Sequence, residues 1–220
     1  MFKWLRDAGR TSETIFMFTL SLFCIGTFLF RRFYSGNWSF FFLNWNLFLA
    51  FVPWALTSIS FINPKIQKSI LSISLLLVFW LIFFPNAPYI ITDLFHLRVI
   101  KNMPVWYDTL MILSYAWTGM LFGFLSLWDI EQILERKLPV ALVTCISVFL
   151  LFVGSFGIYI GRFLRWNTWD IFTRTSEVLT DISDRFTSPF EHLTTWGVTL
   201  FMGIFLNIVY WSFKLVKRRL

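Results

Sequence analysis

Six apolar runs, each about 20 residues long, fill most of this 220-residue chain, at about 14–30, 39–61, 66–84, 105–128, 138–161 and 193–213. At about 1.5 Å of rise per residue, a helix of that length crosses the roughly 30 Å of hydrocarbon in a bilayer. Hydrocarbon offers no water to the backbone, so each run must satisfy its own N–H and C=O groups, and a helix does so within one segment. The expectation is an all-α polytopic membrane protein, a single domain over 1–220 with six transmembrane helices. The charged fraction is 14%, against about 25% in soluble domains.

The formal charge of +7 does not imply nucleic acid, because the basic residues sit at the ends of the apolar runs, where the positive-inside bias places them. No nucleic-acid partner is expected; membrane lipid is. Of the 19 Lys and Arg, 11 fall in the terminus and in the loops after the second, fourth and sixth runs, among them Lys3, Arg6, Arg10, Lys65, Lys68, Arg136 and Lys217. That bias puts both termini in the cytoplasm and the loops after the first, third and fifth runs outside. The first run lacks a small-x-small cleavage site and reads as an uncleaved span. Cys24 and Cys145 lie inside apolar runs with no partner spacing, as packing residues do.

The third run ends in Phe83-Phe84-Pro85-Asn86-Ala87-Pro88-Tyr89-Ile90-Ile91-Thr92-Asp93-Leu94-Phe95-His96-Leu97-Arg98. Two prolines remove backbone donors and disfavour helix at the residue before each, so the span should stop near Phe84. Asn86 can cap a new helix with Pro88 in its first turn. Continued to about Val99, that helix would carry Asn86, Tyr89, Asp93 and His96 on one face. Asp93 and His96, three apart, can bind a metal together or orient one another for proton transfer, and two ligands alone do not make a metal site. The plainer reading is an interfacial helix whose polar side chains face headgroups.

A second constellation leaves the fifth run: Gly161-Arg162-Phe163-Leu164-Arg165-Trp166-Asn167-Thr168-Trp169-Asp170. If the helix persists, Arg162, Arg165 and Trp169 share a face. Guanidinium groups match phosphate and carboxylate with paired hydrogen bonds; an aromatic belt with snorkelling arginines explains the same pattern. Trp166, Asn167 and Asp170, together with Asn86, Tyr89 and Asp108, complete the candidate headgroup site. Asp108, in Trp106-Tyr107-Asp108, can pair with Arg162, Arg165 or His96, or favour a helix N-terminus. Asp129, 21 residues on, is expected at the cytoplasmic surface. Asn44 and Asn46 can line a pocket or bond a neighbouring helix. Gly119 with Gly123, and Gly157 with Gly161, have the spacing of close helix contacts.

The segment 173–191 is the one extended polar region. Ser176 can cap an amphipathic surface helix there, with Val178, Leu179, Ile182 and Phe186 on its apolar face. His192 precedes the last run and can join the outer cluster. There is no His-Glu-x-x-His, Walker loop, Gly-x-Ser-x-Gly or Cys-x-x-Cys. Neither a metal nor a cofactor is expected.

The Phe83–Leu97 run, with Trp106-Tyr107-Asp108, Ala116-Trp117-Thr118-Gly119 and Gly157-Ile158-Tyr159-Ile160-Gly161-Arg162-Phe163-Leu164-Arg165-Trp166-Asn167, resembles the bacterial membrane family called domain of unknown function 1361. The resemblance covers about 44–170 and implies a bacterial multi-pass protein of the plasma membrane; it supplies no activity. From the residues, the leading expectation is an outer-leaflet pocket for an anionic lipid or polyprenyl-phosphate headgroup. Asp93 and His96 would be its acid–base pair if it is an enzyme of lipid or envelope metabolism. The rivals are a small-solute or proton-coupled permease and a structural subunit.

Overall fold

A computed structural model describes residues 9–97 and 103–217. Arg98, Val99, Lys3, Arg6 and the residues after Lys217 lie outside them. The described chain is all helical, with six helices long and apolar enough to cross a membrane. This is a multi-pass membrane protein. The chain divides into two compact units, Met1–Ile133 and Leu134–Leu220.

In the first unit, α1 (Thr11–Ser35) ends at Gly36, whose φ of 69° lets its N–H return to Arg32 O; only glycine takes that conformation at little cost. Next come α2 (Phe42–Ile62) and α3 (Ile70–Phe83), the latter capped by the Ser69 hydroxyl on Ser72 N–H. A single turn, α4 (Asn86–Tyr89), runs into a 3₁₀ helix (Ile90–His96), and α5 (Val105–Glu135) closes the unit.

The α1–α5 seam has a seven-residue period. Arg10, Met17, Cys24 and Arg31 are buried at every seventh position of one strand of the seam, and Asp108, Tyr115, Phe122 and Asp129 on the other. Charged pairs end it: Arg31 on Asp108 and Arg10 on Asp129. Between them Cys24 Sγ lies 3.3 Å from Thr118 Oγ1. Tyr115 Oη donates to Asn44 Oδ1 at 2.8 Å, tying in α2, and Trp54 and Phe51 set their rings against Phe122.

The span break behaves as the prolines dictate, with one correction. Pro85, not Asn86, holds the capping position of α4. The Ala87 N–H bonds Phe84 O instead of continuing the helix, and Asn86 Nδ2 donates to Phe83 O at 2.9 Å. Asn86 thus repairs the end of α3 rather than capping α4. The turn seats on α5 at its two glycines: a Cβ at Gly119 would meet Ala87 O and Ile90 Cδ1 at 2.7 Å, and one at Gly123 would meet Ala87 Cβ at 3.0 Å. The small-residue spacing is therefore a close-contact device, as expected, and what it admits is the backbone of α4.

The second unit is a helical hairpin with a surface arm. In α6 (Val140–Arg162) the buried residues include Val143, Ser147, Leu151, Ser155 and Ile158; in α9 (Leu193–Lys217) they include Thr195, Thr199, Gly203, Leu206 and Tyr210. Both sets recur at three and four and mix small with large residues, the pattern of helices packed without a hydrophobic driving force. Any side chain at Gly203 would collide with Phe152. Cys145 is exposed, unlike Cys24, so only Cys24 is a packing residue. The arm comprises α7 (Asp170–Thr173) and α8 (Thr175–Thr187). Ser176 is not a cap: Arg174 holds the capping position and makes no side-chain bond there. Phe186 stacks into a cluster with Phe156 and Trp196, docking α8 on the hairpin.

Candidate functional site

The 3₁₀ winding after α4 rearranges the polar stripe expected there. Three residues per turn align Ile90, Asp93 and His96, and set Tyr89 on a different row. Asp93 is 1% exposed and its Oδ2 accepts from Asn46 Nδ2 at 2.9 Å. That bond fixes Asn46 as a partner of the acid. His96 is exposed, edge-on to the Phe42 ring at 5.2 Å. One member of the expected acid–base pair is thus sunk in the protein and the other stands at its surface.

Asp108 is wholly engaged inside the first unit. Its Oδ1 accepts from Arg31 Nε at 2.7 Å and its Oδ2 from Arg31 Nη2 at 3.2 Å. The expected partners Arg162, Arg165 and His96 do not appear in this pair; the cation is Arg31. Asp129 is likewise buried rather than displayed on a surface, at 3% exposure. It accepts from Arg10 Nη1 at 2.6 Å and from the Thr57 hydroxyl at 2.7 Å. Arg10 also reaches Ser58 Oγ at 2.8 Å and Glu13 Oε1 at 2.8 Å, and Trp54 Nε1 donates to Glu13 Oε1 at 2.7 Å. Sequence reading missed this cluster because it took Arg10 and Arg31 for end-of-run charges. The signal that finds it is the shared interval: Arg10 to Arg31 and Asp108 to Asp129 are both 21 residues.

In the second unit the helix does not persist past Arg162, so Arg162, Arg165 and Trp169 do not form a helical face. α6 stops at Arg162, and Arg165 turns the chain with a φ of 61°. The left-handed turn returns the Trp166 N–H to Ile160 O at 3.3 Å. Glycine usually takes that position; an arginine there costs about 1–2 kcal/mol of backbone strain. Arg165 is exposed, and among the described residues no carboxylate or ring is paired with it.

Around Arg165 the loop is locked. Trp166 Nε1 donates to Asp181 Oδ2 of α8 at 2.7 Å, and Arg174 lies 4.5 Å over the Trp166 ring. Asp170 Oδ2 accepts from the Asn167 N–H at 2.7 Å, closing the turn into α7 in the manner of a capping box. Asn167 and Asp170 therefore shape the loop. Trp169, Phe172 and Leu179 are exposed at 44%, 60% and 57%, an apolar border of the kind that sits in headgroups. His192 Nε2 lies 2.7 Å from Asp184 Oδ2, fastening the end of α8 to the start of α9.

Among curated proteins and among solved structures, none matches this chain. A family model does, over residues 45–209, a range that takes in the proline break, the α5 glycines and the Arg165 turn. The chain belongs to the family described as protein of unknown function (DUF1361).

Proposed function

We propose that this membrane protein binds the headgroup of an anionic amphiphile, a phospholipid or a polyprenyl phosphate, at the turn that ends α6. Arg165 is the principal contact, with Arg162 in the last helical turn beside it and Trp169 at headgroup depth. The observation that carries the reading is the strained, exposed Arg165, whose charge no carboxylate of the described residues neutralises. Strain retained at a bulky residue where glycine would relieve it is a mark of functional constraint. A guanidinium at a partly dry boundary gains more from a phosphate than one in water. We place the protein in the bacterial plasma membrane with both termini cytoplasmic, which puts this turn on the outer side.

The test is native mass spectrometry of the purified protein with phosphatidylglycerol, comparing wild type with Arg165→Gly and Arg165→Lys. Glycine suits the left-handed backbone, so that variant removes the charge without unsettling the turn. A defined phosphatidylglycerol adduct present in the wild type, weakened in the lysine variant and missing from the glycine variant supports the site. Equal retention in all three overturns it.

A further inference from the structure

Arg31 and Arg32 are neighbours in sequence with opposite fates. Arg31 is fully buried on Asp108. Among the described residues Arg32 is paired with no carboxylate; its guanidinium lies 4.5 Å over the Trp38 ring, and its Nε is buried with no acceptor among them. The indole beneath it is held from behind: Trp38 packs against buried Phe28 at 6.5 Å and edge-on to Phe41 at 5.7 Å. Phe28 also contacts Phe41 at 6.1 Å, so the three rings form one braced set.

The loop between α1 and α2 is bent to produce this arrangement. Phe40 has a φ of 70°, a rare conformation for so bulky a residue. It tucks the Phe40 ring under Arg31, 4.6 Å from the guanidinium carbon, at 4% exposure. Phe33, Tyr34, Trp38 and Phe41 are turned outward, with exposures of 84%, 66%, 60% and 56%. An outward aromatic rim at the end of a 25-residue apolar helix sits among headgroups. Within that rim stands a half-buried cation that no carboxylate of the described residues pairs.

We propose that Arg32, stacked on Trp38, is a second binding site for an anionic phosphate headgroup, on the first unit and independent of the Arg165 turn. The phosphate accepts from the terminal Nη groups of the guanidinium, and the braced indole fixes the plane in which they lie. Charge complementarity selects the occupant: the rim is apolar and no carboxylate of the described residues pairs its cation, so a phosphate fills it better than a zwitterionic headgroup, whose own ammonium would oppose the arginine.

Native mass spectrometry reads this site separately from the first. Phosphatidylglycerol and phosphatidylcholine are titrated against wild type, Arg32→Gln and Trp38→Ala, with Arg165→Gly as a parallel sample. Arg32 makes no ion pair among the described residues, and Gln keeps most of its length; equal unfolding midpoints for Arg32→Gln and wild type check that the fold is kept. The expected result is one fewer phosphatidylglycerol adduct in Arg32→Gln, with affinity at that step about tenfold weaker, and a smaller loss in Trp38→Ala. Phosphatidylcholine binding stays unchanged, and the Arg165→Gly sample keeps the Arg32-dependent step. Competition by inorganic phosphate at millimolar level would identify free phosphate as the source of the anion; its failure to compete identifies the lipid. Equal phosphatidylglycerol binding by wild type and Arg32→Gln overturns the proposal, whatever the Arg165 variants show.

Discussion

Asp108 and Asp129 stand three heptads apart on α5, and they pair with Arg31 of α1 and with Arg10 at its N-terminal cap, the same interval in the opposite direction. At about 1.5 Å per residue the two pairs are about 31 Å from each other, close to the thickness of the hydrocarbon layer. Buried ion pairs contribute little net stability, because desolvation offsets their attraction, but they discriminate strongly against wrong registers.

Removing one member of the Arg31–Asp108 pair should therefore be far more harmful than removing both. Asp108→Leu leaves a fully buried guanidinium and is expected to cost about 3–5 kcal/mol, while Arg31→Met with Asp108→Leu should be near neutral. Thermal unfolding in detergent, followed by tryptophan fluorescence, measures both. A double variant as unstable as the single would show that the pair is not the source of the loss.

Gly119→Ala should destabilise by about 1–3 kcal/mol, because its methyl group meets the Ala87 carbonyl and Ile90 Cδ1 at 2.7 Å. Gly26→Ala, with nothing within 4 Å, should be neutral or gain up to about 1 kcal/mol from helix propensity. The two alanine variants, unfolded side by side, separate a packing constraint from a propensity effect.

Asn46→Ala withdraws a donor from buried Asp93 and is expected to cost about 1–3 kcal/mol. His96→Ala loses an exposed ring's contact with Phe42 and should cost about 1 kcal/mol or less. Unfolding midpoints in the opposite order would mean that the acid is held mainly by something other than Asn46.

On the surface arm, the Arg174 guanidinium bonds the Glu177 carboxylate and holds it below its ordinary pKa. The folded value is the lower one, so this contribution to the first turn of α8 is complete above the ordinary carboxylate pKa and is lost as the pH falls through the depressed value. A carboxyl carbon NMR titration of Glu177 should show a depressed midpoint that returns to normal in Arg174→Gln. An unchanged midpoint would mean that the pair does not persist in solution.

The six spans, the stop near Phe84 and the role of the α5 glycines could all be read from local pattern, since apolar length, proline and small-residue spacing act within a few turns. The charged seam could not. Its partners are 77 and 119 positions apart, and an arginine at the end of an apolar run looks the same whether it faces water or an aspartate. The Arg165 turn was visible as a cluster of residue types but not as a shape: nothing in Arg-Trp-Asn announces a left-handed residue where glycine is the norm. Asn86 shows the same limit, because a good cap sequence served the preceding helix instead.

A helix pair fastened at both ends behaves as a rod of fixed length. Sliding α1 along α5 by one turn would break both ion pairs together, so translation is closed to it, while tilting of the whole rod is not. In a thinner bilayer the pair must lean rather than shear, carrying the Arg32 rim with it.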